Sequence, residues 1–379
     1  MTMPTLRALA VAASLAAAGA AQAQIKIAVL QELSGAGATA GTNAKNGALL
    51  AIKEINDAGG ILGKKIEVTV SDTQSNPGVA KGLAQKAVDD DVFAVIGPTF
   101  SGSIMVSMAE TRRAEIPNFT GGEAASITQQ GNPYIFRTSF TQTTAMPKVA
   151  RYIASNLKAK SVAVLYVNND FGKGGRDSFA KAAAQFGLNV VADISTESGQ
   201  VDWSAPVLKA KQSNADVIFV YTNEEESARA LRELRKQGVT KPIVGETTLT
   251  GQKVIELAGD AANGAVAHVG LTVDAPNPNM LKFKAKFYEA YKYISDHNGI
   301  KGYTGVYVLK AGIEKVGKLD RKAVAQALHG LSISAAKHPG VLMDVSVDAN
   351  GDLDRESYIV EVKDGRQVVK EVLPALGKK

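Results

Sequence analysis

The chain has 379 residues, 43 lysines and arginines against 37 aspartates and glutamates, a net charge of +6 and no cysteine. The lack of cysteine excludes disulfides, thiolate metal sites and a cysteine nucleophile. The length exceeds the ~250–300 residues at which a single core gives way to two. Basic residues alternate with acids, as in Lys53-Glu54 and Arg232-Glu233, with no basic block interleaved with aromatics, so no nucleic-acid partner is expected.

At the N-terminus Arg7 precedes an alanine-rich apolar stretch, and Ala21-Gln22-Ala23 is an A-x-A cleavage signal. Residues 1–23 therefore read as a secretory signal peptide, which predicts a periplasmic protein. With no cysteine to carry a lipid, the mature chain is expected to be unanchored. A strand at 25–30 opens the fold, followed by the glycine loop of Gly35, Gly37 and Gly41 and a helix at 42–58 closed by Gly59-Gly60. A strand at 66–70, a helix opened by Pro77 and a buried strand at 92–96 come next.

The stretch after that strand carries the first candidate site. Ser101 and Ser103 are N-cap residue types ahead of a helical run to 114. A helix start behind a strand end offers backbone N–H groups and partial positive charge to a small anion such as a carboxylate. A strand at 116–119 then leads to the loop Thr120-Gly121-Gly122-Glu123.

The alternation starts again with Met146-Pro147 opening a helix, strands at 162–167, 189–194, 217–221 and 243–244, and helical patterns between them. Pro276 and Pro278 mark a crossover. Helices are expected at 280–297, 302–316 and 321–331, then strands at 341–347, 358–362 and 367–372 as a β-meander. Repeated strand–helix units in two blocks predict an α/β protein with parallel sheets covered by helices.

Catalytic signatures are missing. His268, His297, His329 and His338 lack metal-ligand spacing and are expected on the surface or in loops. The glycines at 35–41 miss the dinucleotide spacing, 60–65 is no phosphate loop, and Ser101 lacks the glycines of a nucleophile elbow. No enzyme activity, metal or cofactor is expected.

Three segments in order carry a family likeness: 51–63, from Ala51-Ile52-Lys53-Glu54 to Gly60-Ile61-Leu62-Gly63; Val95-Ile96-Gly97; and 168–174, with Asn169-Asp170-Phe171-Gly172. With them the chain resembles the type I periplasmic binding proteins of ABC transporters, in particular the leucine/isoleucine/valine-binding branch. The resemblance implies two Rossmann-like lobes with parallel central sheets joined by a three-strand hinge. Lobe 1 would comprise 24–140 plus 275–351 and lobe 2 141–274 plus 352–379, with crossings near Phe140, Asp274 and Asp352.

It further implies a ligand held between the lobes. Ser101 and Gly122 would take a carboxylate, with Glu123, Phe100 and Ala40 beside them. Phe171, Asn223, Glu246 and Thr247 would come from lobe 2. Several positions depart from the family: Phe171 replaces the usual tyrosine, Asn223 and Ala40 stand at aromatic positions, and Thr247 aligns with the acid that pairs with a ligand ammonium, Glu246 lying one residue earlier.

The implied function is that of a monomeric solute receptor which closes on an amino acid, branched-chain or otherwise hydrophobic, and delivers it to the membrane permease of an ABC importer. The departures leave open an aromatic or other organic carboxylate as ligand, and a sensory role.

Overall fold

The structure, a computed structural model, describes residues 24–375; the expected signal peptide lies outside the described residues. Five parallel strands form the first sheet: β1 (Ile25–Gln31), β2 (Ile66–Asp72), β3 (Ala94–Ile96), β4 (Asn118–Thr120) and β5 (Ile135–Arg137), in the order β2-β1-β3-β4-β5. β6 (Ser161–Val167), β7 (Asn189–Thr196), β8 (Val217–Tyr221), β9 (Ile243–Glu246) and β10 (Val266–Val269) form the parallel part of a second sheet. The central strands β3 and β8 are buried throughout, as expected of apolar runs covered on both faces.

The C-terminal meander expected from the sequence is divided between two sheets. β11 (Ser332–Ile333), β12 (Val345–Val347) and β13 (Leu353–Asp354) make a small antiparallel sheet. β14 (Ser357–Lys363) and β15 (Arg366–Leu373) form a hairpin that joins the second sheet antiparallel to β10. The second sheet is therefore mixed. β13 and β14, adjacent in sequence, belong to different sheets and do not pair with each other.

Two long helices of lobe 1 set the position of the cleft. Ala38–Asp57 packs against His297–Val316 with their backbones almost touching. A Cβ on Gly47 would lie 1.9 Å from the carbonyl oxygen of Gly299, and one on Gly302 would lie 2.0 Å from that of Ala44. Only glycine allows this approach.

The second of these helices differs from the sequence expectation. The run expected at 280–297 ends at Tyr291, where Lys292 adopts a left-handed φ of 62°. Asp296 then caps a new helix, its carboxylate accepting from the N–H groups of Asn298 (2.8 Å) and Gly299 (3.3 Å). His297 thus opens a helix and is buried, as is His268 on β10; neither is the surface or loop histidine expected. Pro147 also sits inside its helix, Gln142–Arg151, which continues into a wider π turn at Tyr152–Asn156.

The three crossings between the lobes meet at one ring. Phe140 lies on the first, and a Cβ on Gly270 of the second would fall 2.2 Å from its Cδ2. Arg355 of the third holds its guanidinium 5.1 Å from the Phe140 centroid, and Lys148 places its ammonium at the same distance. Arg355 also donates to the carbonyl of Thr138 at 2.9 Å.

Candidate functional site

The helix after β3 runs Ser101–Arg113 with Phe100 in the cap position, so Ser101 is its first residue and neither Ser101 nor Ser103 is the cap. A buried acid braces the approach to it. Glu32, just past β1, accepts from the N–H groups of Thr99 (3.0 Å) and Phe100 (3.1 Å), the two residues ahead of the helix. Burial raises the Glu32 carboxyl above its ordinary value, while the bonds from Thr99 and Phe100 pull it down.

Ser101 Oγ instead accepts from the N–H of Ala124 at 3.3 Å, which ties the helix start to the next strand-end loop. That loop is held by Arg137. Its fully buried guanidinium donates to the carbonyls of Gly122 and Ala124 (2.9 Å), to Thr128 Oγ1 (3.0 Å) and to Asp352 Oδ1 (2.6 Å). Ser139 Oγ donates to the Gly122 carbonyl at 2.8 Å. A Cβ on Gly122 would stand 2.4 Å from Ile104 Cδ1 and 3.1 Å from Ser101 Oγ, so a glycine is needed to bring this backbone beside the serine.

Between the lobes lies a cavity of about 50 Å³. Lobe 1 contributes Ala40, Thr99, Phe100, Ser101, Gly122, Glu123, His297, Asn298 and Lys301 to its wall, and lobe 2 contributes Asn169, Phe171, Asn223, Glu224 and Thr248. Ala40 stands on a helix, because the first helix begins at Ala38, upstream of the start expected from the sequence.

Charge in the cleft is concentrated. Lys301 Nζ lies 3.2 Å from Glu123 Oε1, and both side chains are almost fully buried. Tyr221 donates its hydroxyl across the lobes to Glu123 Oε2 at 3.1 Å, while Gln142 holds that hydroxyl and the Phe171 carbonyl. Phe171 stacks on Tyr221 with centroids 4.2 Å apart, which presents it to the cavity as a fixed platform. Burial, reinforced by Glu246, pushes the Glu123 carboxyl up to about 7 against the pull of Lys301.

Glu246 and Thr247 lie behind the wall. Glu246 Oε1 accepts from the Thr247 hydroxyl at 2.6 Å and meets Nδ1 of His268 at 3.2 Å. Burial raises the Glu246 carboxyl and drives His268 down to about 3, so that histidine is neutral. Asn223 is on the wall, yet its side chain serves as the N-cap of Glu224–Lys236 and donates to Glu226 at 3.0 Å.

Several wall residues escape sequence reasoning. Lys301, His297 and Asn298 lie on a helix whose start depends on the Lys292 break, and a run of glycines there gives no amphipathic signal. Glu224 reads from sequence only as a helix start, which it is. Here it is also buried, pushed up to about 8 by desolvation and then by Asp296. Among the described residues no group of three or more histidine, aspartate or glutamate side chains is placed to hold a metal ion.

Residues 24–367 match the family model described as periplasmic binding protein. Over 360 residues the chain is 31% identical to the Leu/Ile/Val-binding protein BraC3 of Rhizobium johnstonii, covering 94% of this chain and 96% of that protein. It is similar in structure to the branched-chain amino acid transporter substrate binding protein LivJ from Streptococcus pneumoniae in complex with isoleucine (TM-score 0.84, 26% identity, 93% of this chain and 99% of that one). A solute binding protein from R. palustris in complex with benzoate shares the fold at TM-score 0.85 and 22% identity, covering 93% of this chain and 97% of that one.

Proposed function

The chain belongs to the periplasmic binding protein family, a family of non-enzymatic solute receptors of ABC transporters, and from that membership we propose that its cleft receives an α-amino acid for delivery to a membrane permease. The observation that carries this reading is the charge around Gly122. Glu123 pairs with the one lysine there, Lys301, a second buried carboxyl, Glu246, lies behind the wall within reach of the same charge, and both carboxyls are raised towards protonation. A site short of one cation is suited to a ligand ammonium. Ser101 and the backbone of Gly122 on the cavity wall are suited to the carboxylate of the same ligand.

Binding then works by hinge closure. Glu123 and Tyr221 belong to different lobes, and so do Thr39 and Glu225, whose side chains bond at 2.8 Å. A ligand touching both lobes favours the closed form over the open one by its differential contacts and so shifts the population. No bond is made or broken.

Calorimetric titration of the mature protein against the α-amino acids and a set of organic acids tests this. An amino acid should bind, and Glu123→Gln should weaken it roughly 10–150-fold, the equivalent of one charge-assisted hydrogen bond of ~1.5–3 kcal/mol. A folded protein silent across the amino acids overturns the reading. A second reading, a carboxylate without an ammonium, is favoured by Lys301 on the cavity wall; it expects Glu123→Gln to leave binding unchanged or improved.

A further inference from the structure

Two polar side chains on the cavity wall are left without a protein partner. His297 and Thr248 are 5% and 8% exposed and line the cavity, and among the described residues neither side chain makes a hydrogen bond or ion pair. Burial holds His297 well below the usual imidazole range. The ring is therefore neutral, with one nitrogen to donate and one to accept. Thr248 brings a hydroxyl that can do either. They come from opposite lobes, His297 from the first turn of the helix packed on lobe 1 and Thr248 from the turn after β9.

Their place along the cavity follows from helix geometry. Lys301, four residues after His297, shares its face of the helix about 6 Å further on and pairs with Glu123 beside Gly122. A ligand whose carboxylate and ammonium are held at Ser101, Gly122 and Glu123 would extend its side chain one helical turn, towards His297 and Thr248.

Resting on the amino-acid reading above, we infer that the ligand's side chain carries a hydroxyl or amide group received by His297 and Thr248, which makes the substrate class small polar α-amino acids. An aliphatic side chain would bury both protein groups unpaired, and sites built to hydrogen-bond a ligand strongly reject isosteres that lack the group. The two residues determine specificity, and because they lie on separate lobes, a polar side chain also rewards closure. This departs from the aliphatic ligand that the family resemblance implies.

The test is calorimetric titration of the mature protein with isosteric pairs: threonine against valine, serine against 2-aminobutyrate, asparagine against leucine. The polar member should bind at least tenfold more tightly in each pair. His297→Leu and Thr248→Val should each bring the threonine-to-valine ratio towards one, while His297→Gln, which keeps a donor and an acceptor, should retain the preference. Thermal melts of each variant check the fold; should His297→Leu not fold, the pairs on the unaltered protein and on Thr248→Val still decide. Valine equal to or tighter than threonine overturns the inference and leaves the amino-acid reading standing. Binding of organic acids with no amino acid bound at all overturns both.

Discussion

The side-chain amide of Asn298 stands 3.2 Å from Glu224 Oε1 and 3.3 Å from Asp296 Oδ2, one donor group shared by two buried carboxyls from opposite lobes. Two charged carboxylates cannot both be content there. Burial and mutual repulsion push Glu224 up to about 8, and burial pushes Asp296 up to about 6.

Stability should therefore fall as pH rises. Both carboxyls hold protons in the folded closed form that they have lost in the unfolded chain, so their effect is least unfavourable below the ordinary carboxyl value and worsens up to about pH 8 for Glu224. The thermal midpoint measured from pH 7 to 8.5, where the buried His268 and His297 are neutral folded or unfolded and no longer add stability with rising pH, should decline, and Glu224→Gln should flatten the decline. A midpoint that rises across that range contradicts the assignment.

Arg137 should be among the most sensitive positions in lobe 1. Arg137→Met removes the partner of the partly exposed Asp352 and the donors to two buried loop carbonyls. Breaking one side of such a pair costs about 3–5 kcal/mol, which urea unfolding would register as a lower midpoint at unchanged slope. Unfolding indistinguishable from the parent would mean that Ser139 alone secures the loop.

Gly122→Ala separates binding from folding. The added methyl meets Ile104 Cδ1, the end of a flexible side chain, so the stability loss should stay near ~1–3 kcal/mol. The same methyl stands 3.1 Å from Ser101 Oγ and moves the backbone from the serine, so affinity should drop by more than tenfold. Titration and melting of the same preparation give both numbers.

Gly302→Ala should behave in the opposite way. Its Cβ would lie 2.0 Å from the carbonyl oxygen of Ala44, a backbone atom that cannot step aside, so the two helices must separate. The expected loss exceeds the ~1–3 kcal/mol of ordinary overpacking. Melting temperature is the readout, and a variant as stable as the parent would show that the two helices do not depend on this close contact.

How far the sequence reveals this molecule depends on where each signal lies. The strand–helix alternation is legible because β3, β6 and β8 are short apolar runs bounded by turns. Ser101, Gly122, Glu123, Phe171, Asn223, Phe100 and Ala40 come together on one wall, since all but Ala40 sit at or just beyond strand ends that topology brings to the cleft. Glu246 and Thr247 stand one layer back because the turn Thr247–Thr250 projects Thr248 instead.

Lys301 and His297 could not be found from periodicity. Their helix start depends on a left-handed residue at Lys292 and on an Asp296 cap inside a run that otherwise reads as continuous. The division of the C-terminal strands is equally hidden, because it depends on which lobe each strand reaches, and local pattern carries no information on that.

Phe140 has a consequence for how the molecule moves. Residues from all three crossings rest on its ring, so the crossings cannot slide past one another without breaking the same small contact. If the lobes open by the hinge motion proposed above, the turn is centred near the ring, with the lobes as lever arms. A few degrees of twist there would become ångströms at the cleft rim, which would make one side chain the gearing between backbone torsion and access for solute.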